Sequence, residues 1–460
     1  MVHTFKFSYS GKDHYFVWDA ESGSLHNVDR VAFLIVNKIY DVRPLSEEEQ
    51  GELCAVPKEE YDGIVSELKN LEAEGCLNTP CTTYAEKKRT GEIKAMCLNV
   101  CYDCNLRCKY CFADEGTYHT TSRAHMSAET GKAAIDWLIS RSGKRRNLEV
   151  DFFGGEPLLC YDAVKQIVEY ARSREKDSGK TFSFTMTTNC LLLDEEKAKW
   201  LDENMYNVVL SLDGRKDVHN RMRPTPNGKD VYDVIRKNAL YMAKLRGKKS
   251  YYVRGTFTQA NLDFAGDVKA MVEAGFDSVS VEPVVTDIPG IEIRDCDLPV
   301  IFEEYDKLAR YYLDRYNAGK PFTFFHYFVD LETSPCMTKR LTGCGSGCEY
   351  VAVSPEGKIY PCHQFCEQEE YLMGDVWGGE GVQGVEDYFA ANIVTRKKEC
   401  ENCFAKYYCS GGCAANNIKF GGGMDNVTPI TCAMMRKRLE NALFIAAYTL
   451  VSPPVENAAD

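Results

Sequence analysis

Three cysteines fall within eight residues of the chain, in Cys104-Asn105-Leu106-Arg107-Cys108-Lys109-Tyr110-Cys111. One short loop can therefore present three thiolates to one small metal centre. Thiolate-rich sites favour zinc or iron–sulfur clusters over hard cations. Three ligands are one fewer than a closed tetrahedral zinc site uses. The stretch predicts either a 4Fe–4S cluster with one iron open to a ligand, or a zinc loop completed by a distant fourth residue.

The spacing C-x3-C-x2-C, with Tyr110 just before the last cysteine, resembles the radical S-adenosylmethionine (SAM) superfamily. The resemblance implies that Cys104, Cys108 and Cys111 hold a catalytic 4Fe–4S cluster whose free iron binds SAM. One electron then cleaves SAM to methionine and a 5′-deoxyadenosyl radical, which abstracts hydrogen from an unactivated C–H bond. The cofactors supply this chemistry, and the protein ligates them, orients them and excludes water.

The composition limits the class of protein. At 460 residues the chain is expected to form roughly two to four domains, and 44% hydrophobic residues are sufficient for packed cores. No apolar run reaches the length of a membrane span and the first residues resemble no signal peptide, which predicts a cytoplasmic protein. A net charge of −13 argues against nucleic-acid binding. Because the cytoplasm is reducing, the clustered ones among the 21 cysteines are better explained by metal ligation than by disulfides. Four isolated ones are expected to be small buried residues: Cys54, Cys76, Cys160 and Cys190.

Strand-like and helix-like segments alternate in the middle of the chain. Strands are predicted at Ala95–Val100, Leu148–Phe153, Thr181–Thr187, Asn207–Leu212, Tyr251–Thr258 and Ser278–Pro283. Helices are predicted at Ala128–Arg141, Asp162–Arg174, Asp194–Glu203, Val231–Leu245 and Phe264–Glu273. Such alternation gives a parallel sheet covered by helices. Six units are too few for a closed eight-fold barrel, so the predicted fold class is α/β with a partial (β/α)6 barrel. Ligands are expected at the carboxyl ends of its strands.

Polar motifs follow several of these strands. Gly154-Gly155-Glu156-Pro157 matches the segment that binds the SAM amino group in the family, because glycines allow close approach and a carboxylate accepts from an ammonium. Arg223 would meet the SAM carboxylate, with its guanidinium fork. Cys190 and Asn220 depart from the glycine and aspartate of the family pattern. Loop capping for Ser211 and a plain surface charge for Arg223 stay open as alternatives. The resemblance assigns SAM contacts to Tyr110, Gly154, Gly155, Glu156, Thr188, Asn189, Ser211 and Arg223.

The last quarter of the chain contains a second cysteine pattern, C…G-x4-C…C-x2-C-x5-C-x3-C…C, which matches the SPASM extension of radical SAM enzymes. The resemblance implies two auxiliary 4Fe–4S clusters, and thus three clusters in all. The distal cluster would be held by Cys400, Cys403, Cys409 and Cys432. The nearer cluster would be held by Cys344, Cys362 and Cys413, and Cys348 would be a further ligand or a bystander. A pair of zinc ribbons is the alternative from spacing alone.

The remaining segments flank this core. Residues 1–90 contain short strands at Thr4–Ser8, His14–Asp19 and Ser24–Val28, then helical patterns, and resemble a winged-helix-like peptide-recognition domain; a packing extension is the alternative. Tyr84–Gly91 is charged and is predicted to be a linker. The predicted organisation is a recognition domain at 1–90, a radical SAM partial barrel at 91–290, a bridge at 291–340, a SPASM domain at 341–440 and a C-terminal tail at 441–460.

The run Gly343–Gly347, with Tyr360–Phe365, is similar to the maturases of clostridial six-cysteine (SCIFF) peptides. This similarity implies that the enzyme joins cysteine sulfur to carbon within a ribosomally made, cysteine-rich precursor peptide carrying a leader, giving a sactipeptide-like thioether. A reduced flavodoxin or ferredoxin would supply the electron, and an auxiliary cluster would accept the electron left after bond formation. The acceptor carbon stays open. So do two alternative functions: a sulfatase-maturase-like or other peptide-oxidising enzyme, and a non-enzymatic iron–sulfur electron carrier.

Overall fold

Ten strands form one sheet through the middle of the computed structural model, which describes residues 1–81, 91–331 and 337–452. Six parallel strands form the core of the sheet: β4 (Ala95–Cys101), β5 (Asn147–Gly154), β6 (Thr181–Thr188), β7 (Asn207–Ser211), β8 (Tyr251–Phe257) and β9 (Ser278–Pro283). The predicted α/β partial barrel is confirmed. The predicted linker, apart from Gly91, lies outside the described residues, as do Pro453 and Pro454.

Helices follow the strands and cover the outer face of the sheet. They are α4 (Ala128–Arg141), α5 (Tyr161–Ser178), α6 (Glu195–Asn204), α7 (Lys216–Met222), α8 (Tyr232–Arg246) and α9 (Phe264–Glu273). Each of the five predicted helices is present within a few residues of its expected bounds. Their buried residues pack on the strands in one large core that includes Ile135, Ile167 and Ile235. The inner faces of the strands are left to line a cavity.

A small antiparallel sheet precedes the barrel: β1 (Val2–Tyr9), β2 (Lys12–Asp19) and β3 (Ser24–Val28). Three helices follow, namely α1 (Arg30–Ile39), α2 (Glu47–Ala55) and α3 (Lys58–Ala73). These elements share a core of their own, with Val17, Leu34 and Leu68 buried. The hydrophobic pattern did not predict α2, because this helix buries only Leu53. The helix begins instead with a capping box between Ser46 and Glu49.

Both edges of the large sheet extend past the predicted domain boundaries. After α10 (Leu298–Asn317), the short strand β10 (Thr323–Phe324) pairs with β9. At the other edge β11 (Tyr350–Val353) pairs parallel with β4, followed by β12 (Lys358–Tyr360) and β13 (Gly374–Asp375) in antiparallel order. The cysteine-rich region is thus bonded directly to the first barrel strand, and the boundaries at residues 290 and 341 fall within one continuous sheet.

The predicted tail, residues 441–460, begins inside the last helix of the cysteine-rich region. The cysteine-rich region contains α11 (Met337–Thr342), α12 (Val385–Ala390), α13 (Lys398–Glu401), α14 (Lys406–Cys409) and α15 (Ala414–Gly421), and ends with α16 (Pro429–Val451). Leu443 and Phe444 of α16 are fully buried, and the Phe444 ring stacks on Phe7 of β1 with 4.3 Å between centroids. This apolar contact between α16 and the N-terminal sheet keeps residues 441–451 helical.

Two isolated cysteines also differ from expectation. Cys160 and Cys190 are buried as predicted, whereas Cys54 is exposed and Cys76 is partly exposed. Within the described ranges, no helix combines the length and apolar character needed to cross a membrane.

Candidate active site

One cavity of about 550 Å³ opens along the inner face of the barrel sheet. All eleven residues that the sequence assigns to the primary cluster and to SAM line it: Cys104, Tyr110, Cys108, Cys111, Gly154, Gly155, Glu156, Thr188, Asn189, Ser211 and Arg223. They come from the loop after β4 and from the ends of β5, β6 and β7, and from the segment after α7. Because parallel strands bring their carboxyl ends to one edge, segments distant in sequence meet here.

The cysteine loop is fixed by backbone hydrogen bonds to the segment after α7. The Arg107 amide donates to the Pro224 carbonyl at 2.7 Å, and the Lys109 amide donates to the Met222 carbonyl at 3.0 Å. Burial raises the pKa of Cys104 to about 12 and that of Cys108 and Cys111 above the usual thiol value. Metal ligation requires thiolates, so a bound cation must offset this cost. Three thiols on one cavity wall are the donor set that an iron–sulfur cluster needs.

The two glycines of Gly154-Gly155-Glu156-Pro157 are required by the protein's own backbone. A Cβ on Gly155 would lie 1.9 Å from the Asp103 carbonyl oxygen, and one on Gly154, whose φ is 127°, would lie 2.4 Å from the Cys101 carbonyl oxygen. The segment also donates to this loop, since the Glu156 amide bonds the Asp103 carbonyl at 2.9 Å. Glycine here allows β5 to approach the base of the cysteine loop, rather than serving a ligand alone.

Glu156 is buried and holds neighbouring strand ends together. Its carboxylate accepts hydrogen bonds from the Thr188 hydroxyl at 2.7 Å, the Asn189 amide at 2.7 Å and the Leu158 amide at 3.1 Å. Burial nevertheless raises the pKa of Glu156 to about 7, although these hydrogen bonds oppose the shift. The side-chain amide of Asn189 donates to Asn105 at 2.7 Å, which connects this carboxylate to the cysteine loop. Glu156 thus presents an acidic group to the cavity. Among the described residues, this carboxylate has no cationic partner.

Arg223 is buried and forms a bidentate ion pair with Asp213. Its Nε and Nη2 donate to the two carboxylate oxygens at 2.9 Å each, and its guanidinium lies 5.5 Å from the centre of the Tyr110 ring. The Tyr110 hydroxyl donates to the same carboxylate, and the Thr256 amide donates to it at 3.0 Å. Burial opposes ionisation of Asp213, but the charge of Arg223 holds the pKa of that carboxyl below its usual value. The alternative of a surface charge for Arg223 is therefore wrong, and Asp213 is the partner that sequence reasoning missed.

Known proteins share this architecture. Residues 98–244 match the family model of the radical SAM superfamily. This part of the chain is a radical SAM domain. The chain is 24% identical over 436 residues to the radical SAM cyclopropyl synthase TigE of Paramaledivibacter caminithermalis, covering 87% of each chain. It is also 24% identical to a cysteine-type anaerobic sulfatase-maturating enzyme of Clostridium perfringens, covering 67% of this chain and 85% of that one.

A solved structure of native anSMEcpe, with bound AdoMet and the Kp18Cys peptide, superposes with a TM-score of 0.63. The two sequences are 18% identical, and the match covers 78% of this chain and all of that one. Because the match covers 78% of this chain, the shared fold extends beyond residues 98–244.

Cys190, which stands where the radical SAM pattern has glycine, has a left-handed backbone. Its φ is 64° and its side chain is fully buried. The Cys190 amide donates to the Thr188 hydroxyl at 3.0 Å, and its carbonyl accepts from Asn238 at 2.9 Å. Glycine adopts this conformation without steric cost, which explains the family preference. The turn keeps its shape here despite the substitution, because hydrogen bonds hold it on both sides.

The four cysteines of the distal set lie together. Cys400, Cys403, Cys409 and Cys432 line a second cavity of about 180 Å³. Among the described residues, no group of three or more His, Cys, Asp or Glu side chains is close enough to hold a single metal ion. The four thiols border a wider space instead, and burial raises the pKa of Cys432 to about 11. A polynuclear cluster fits this donor set.

The nearer set is more loosely arranged. Burial raises the pKa of Cys413, and the charges of Cys344 and Cys413 each contribute, after burial, to raising that of Cys362. These interactions place the three thiols within electrostatic reach of one another. The Cys348 thiol lies 3.7 Å from the Glu386 carbonyl oxygen.

Aromatic side chains connect the cysteine loop with the nearer set. Phe112, which follows Cys111, lies 5.3 Å from His363, which follows Cys362, as measured between ring centroids. The Phe153 ring lies 5.0 Å from His363 and completes the contact. His363, Gln364 and Asn416 all line the main cavity. The cavity thus extends from the proposed SAM site to the loops that carry Cys362 and Cys413.

The inner faces of the strands contribute polar residues that motif comparison did not single out. Asp151 lines the cavity, and burial raises its pKa to about 6. Glu282 also lines it, as expected from its strand-end position, and bonds His326 at 3.2 Å and Arg438 at 3.6 Å. Arg254 projects from β8 into the same space. Alternation along the strands was the available signal, since every second residue of a barrel strand faces inward.

Proposed function

We propose that this radical SAM enzyme forms intramolecular cysteine sulfur-to-carbon thioethers in a ribosomally made, cysteine-rich precursor peptide. One observation carries the proposal: a single cavity is lined by the Cys104–Cys111 loop and also by His363 and Asn416, which lie beside Cys362 and Cys413 in sequence. A peptide in that cavity can expose a C–H bond to the radical source and a cysteine to the nearer thiol set at the same time.

The SAM-binding roles follow from the charges near the Cys104–Cys111 loop. Glu156 would accept from the SAM ammonium, and Arg223 would meet the SAM carboxylate. Nε and Nη2 of Arg223 are engaged by Asp213, which fixes the guanidinium plane and leaves Nη1 for a ligand. Ser211, Thr188 and Asn189 border the remaining polar wall. SAM bound beside a reduced cluster on Cys104, Cys108 and Cys111 supplies a 5′-deoxyadenosyl radical.

The hydrogen balance of a thioether sets the requirements for the nearer thiol set. Each crosslink removes two hydrogens from the peptide. One leaves as a hydrogen atom that completes 5′-deoxyadenosine, and the other leaves as the thiol proton together with one electron. Cys344, Cys362 and Cys413 would hold a cluster with an open position, so that the substrate thiolate and the acceptor of this electron are at the same place. Holding both reacting atoms in one cavity removes much of the entropic barrier.

The N-terminal sheet would recognise the leader of the precursor. β1 packs its apolar side chains against α16, as the Phe7–Phe444 contact requires, and β3 forms the opposite edge of the sheet. A peptide strand can add to such an edge through main-chain hydrogen bonds. A flavodoxin or ferredoxin would be the reductant. That a related structure binds the Kp18Cys peptide supports a peptide substrate.

Mass spectrometry of a cysteine-rich candidate peptide after anaerobic reaction tests the product. We expect a loss of two hydrogens per crosslink and one fewer alkylatable thiol. The relatives include a cyclopropyl synthase and sulfatase-maturating enzymes. If two hydrogens are lost while every thiol remains alkylatable, the product is therefore another oxidation and not a thioether. If SAM is not cleaved under dithionite, the remaining alternative function is a non-enzymatic electron carrier.

A further inference from the structure

Arg254 is a cavity residue that the proposed reaction leaves without a role. Along β8, the cavity-lining residues Tyr252, Arg254 and Thr256 alternate with residues that are buried beneath the helices. The side chain of Arg254 is exposed within this arrangement. Its strand neighbours in register are Ser211 on β7 and Ser280 on β9. The Arg254 side chain therefore extends from the inner face of the sheet, at the same level as the SAM-binding motifs, and not from the outer surface.

Arg254 has no ionic partner in the three described stretches of the chain. Its guanidinium has no carboxylate within 4.0 Å there, and its side chain forms no hydrogen bond. The other cavity arginine, Arg223, is bound in bidentate fashion by Asp213. Glu282, two residues beyond the register partner of Arg254 on β9, is already engaged by His326 and Arg438. A cation kept apart from the carboxylates around it is available to a ligand.

The position of Arg254 relates it to the thiol-rich end of the cavity. Arg254 lines the main cavity together with His363. His363 follows Cys362 directly in sequence. Arg254 thus lines the same cavity as His363 and Asn416, which lie beside Cys362 and Cys413 in sequence, whereas the Arg223 guanidinium lies over the Tyr110 ring.

We propose that Arg254 binds the carboxylate of an Asp or Glu side chain of the substrate peptide, close to the residue that is modified. A guanidinium presents two parallel N–H donors that match a carboxylate, and such charge-assisted pairs are stronger than neutral hydrogen bonds. The inference rests on the proposed function, because it requires a peptide in this cavity. SAM also has a carboxylate, so the test must separate the two sources.

The test compares binding of three capped peptides, acetyl-Gly-Xaa-Thr-Gly-Cys-Gly-amide with Glu, Gln or Lys at Xaa, to the anaerobic enzyme with its clusters and SAM. We expect the Glu peptide to bind roughly tenfold more tightly than the Gln peptide. Arg254→Gln should abolish this preference. Arg254→Lys, which retains the charge but not the fork, should reduce it. Arg236→Gln is the matched control, because Arg236 lies on α8 and does not line the cavity.

Equal affinities of the Glu and Gln peptides for the unmodified enzyme would overturn the proposal. A preference that persists in Arg254→Gln would also overturn it, since the carboxylate would then be bound elsewhere. SAM affinity is measured separately; a loss of SAM affinity with an unchanged peptide preference would assign Arg254 to the cofactor. If Arg254→Gln fails to retain its clusters, the Arg254→Lys comparison decides. No turnover is needed, so a product other than a thioether would leave this result standing.

Discussion

Glu156 is the residue whose ionisation should control SAM binding. Burial raises its pKa from 4.5 to about 7, so between these values the folded chain retains a proton that the unfolded chain releases. The stability of the protein therefore falls as pH rises from 4.5 to 7, and is then constant. Binding of the SAM ammonium has the opposite dependence, because it needs the carboxylate.

We expect SAM affinity, measured by calorimetry on the cluster-loaded enzyme, to weaken by up to roughly tenfold for each pH unit below 7. Glu156→Gln should bind weakly at every pH and show no such slope. The same slope in Glu156→Gln would assign the titration to another group and contradict the role given to this carboxylate.

The three cysteines of the primary loop should act as a unit separate from the auxiliary sets. Replacing Cys104, Cys108 and Cys111 by alanine should abolish 5′-deoxyadenosine formation. About eight irons per chain should remain, from two four-iron clusters. Iron analysis and chromatography of the reaction products check both expectations. Cys54→Ala is a suitable control, because that thiol is exposed on α2. SAM cleavage at the normal rate in the triple variant would contradict the assignment of these three cysteines.

Sequence alone located most of the candidate site but not its interactions. The cysteine spacing and the strand-end motifs predicted which residues meet, because parallel strands bring their ends together. The sequence did not reveal Asp213 as the partner of Arg223. The two residues are ten positions apart and their side chains meet only in the fold, so the pair leaves no periodic signal. The backbone of Cys190 was missed for a similar reason, because its positive φ is held by a hydrogen bond from its amide to Thr188 and by one from Asn238 to its carbonyl.

At the scale of elements, α14 docks the N-terminal sheet onto the distal thiol set. Lys406, between Cys403 and Cys409, forms a buried ion pair with Glu21 at 2.5 Å, and the Tyr407 hydroxyl donates to Glu21 at 2.8 Å. Removing one partner of a buried pair leaves an uncompensated charge, at a cost of about 3–5 kcal/mol.

We expect Glu21→Ala to lower the melting temperature and to increase hydrogen exchange in β1–β3. Lys406→Met combined with Glu21→Gln should recover much of the loss. Glu52→Ala, which removes an exposed pair with Arg30, is the control and should change little. Unaltered exchange in β1–β3 of Glu21→Ala would show that apolar contacts alone dock the sheet.

The proposed leader recognition involves the N-terminal sheet, β1–β3. Deleting residues 1–90 is a poor test, because it would expose Phe444 and the contacts of α14. Removing the leader from the peptide leaves the enzyme intact and should weaken peptide binding strongly, while SAM cleavage without substrate continues. A photo-crosslinking residue placed in the leader should label Ser24–Val28. Equal binding with and without the leader, or labelling confined to other elements, would make the N-terminal domain a packing extension.

At the scale of the whole molecule, the large sheet contains short strands that the sequence did not predict. The six barrel strands were predictable because each contains an apolar run bounded by turns. Strands β10 to β13 contain only two to four residues each. β10 pairs with β9 and β11 with β4, whereas β12 pairs with β11 and β13 with β12. Short strands of this kind carry little local signal. The consequence is functional, since β11 holds the cysteine-rich region against the strand that precedes the primary cysteine loop.

In the proposed function, the substrate thiolate would bind at the nearer thiol set. Thiolate is a soft ligand, and coordination deprotonates it. If Cys344, Cys362 and Cys413 hold the nearer cluster, one iron is left for the cysteine of the peptide. We therefore expect Cys348→Ala to retain about twelve irons per chain and most thioether formation. Cys413→Ala should lose the nearer cluster and the thioether while still cleaving SAM.

Iron analysis, SAM cleavage and peptide mass spectra on the same preparations separate these outcomes. Loss of about four irons in Cys348→Ala would make Cys348 a ligand and close the position proposed for the substrate. Selenocysteine in the peptide gives a direct readout, because selenium bound to iron is detected by X-ray absorption at the selenium edge. Selenium–iron scattering that is present in the unmodified enzyme and in Cys348→Ala, and absent in Cys413→Ala, is the expected pattern. Its absence from all three would restrict the nearer cluster to electron transfer.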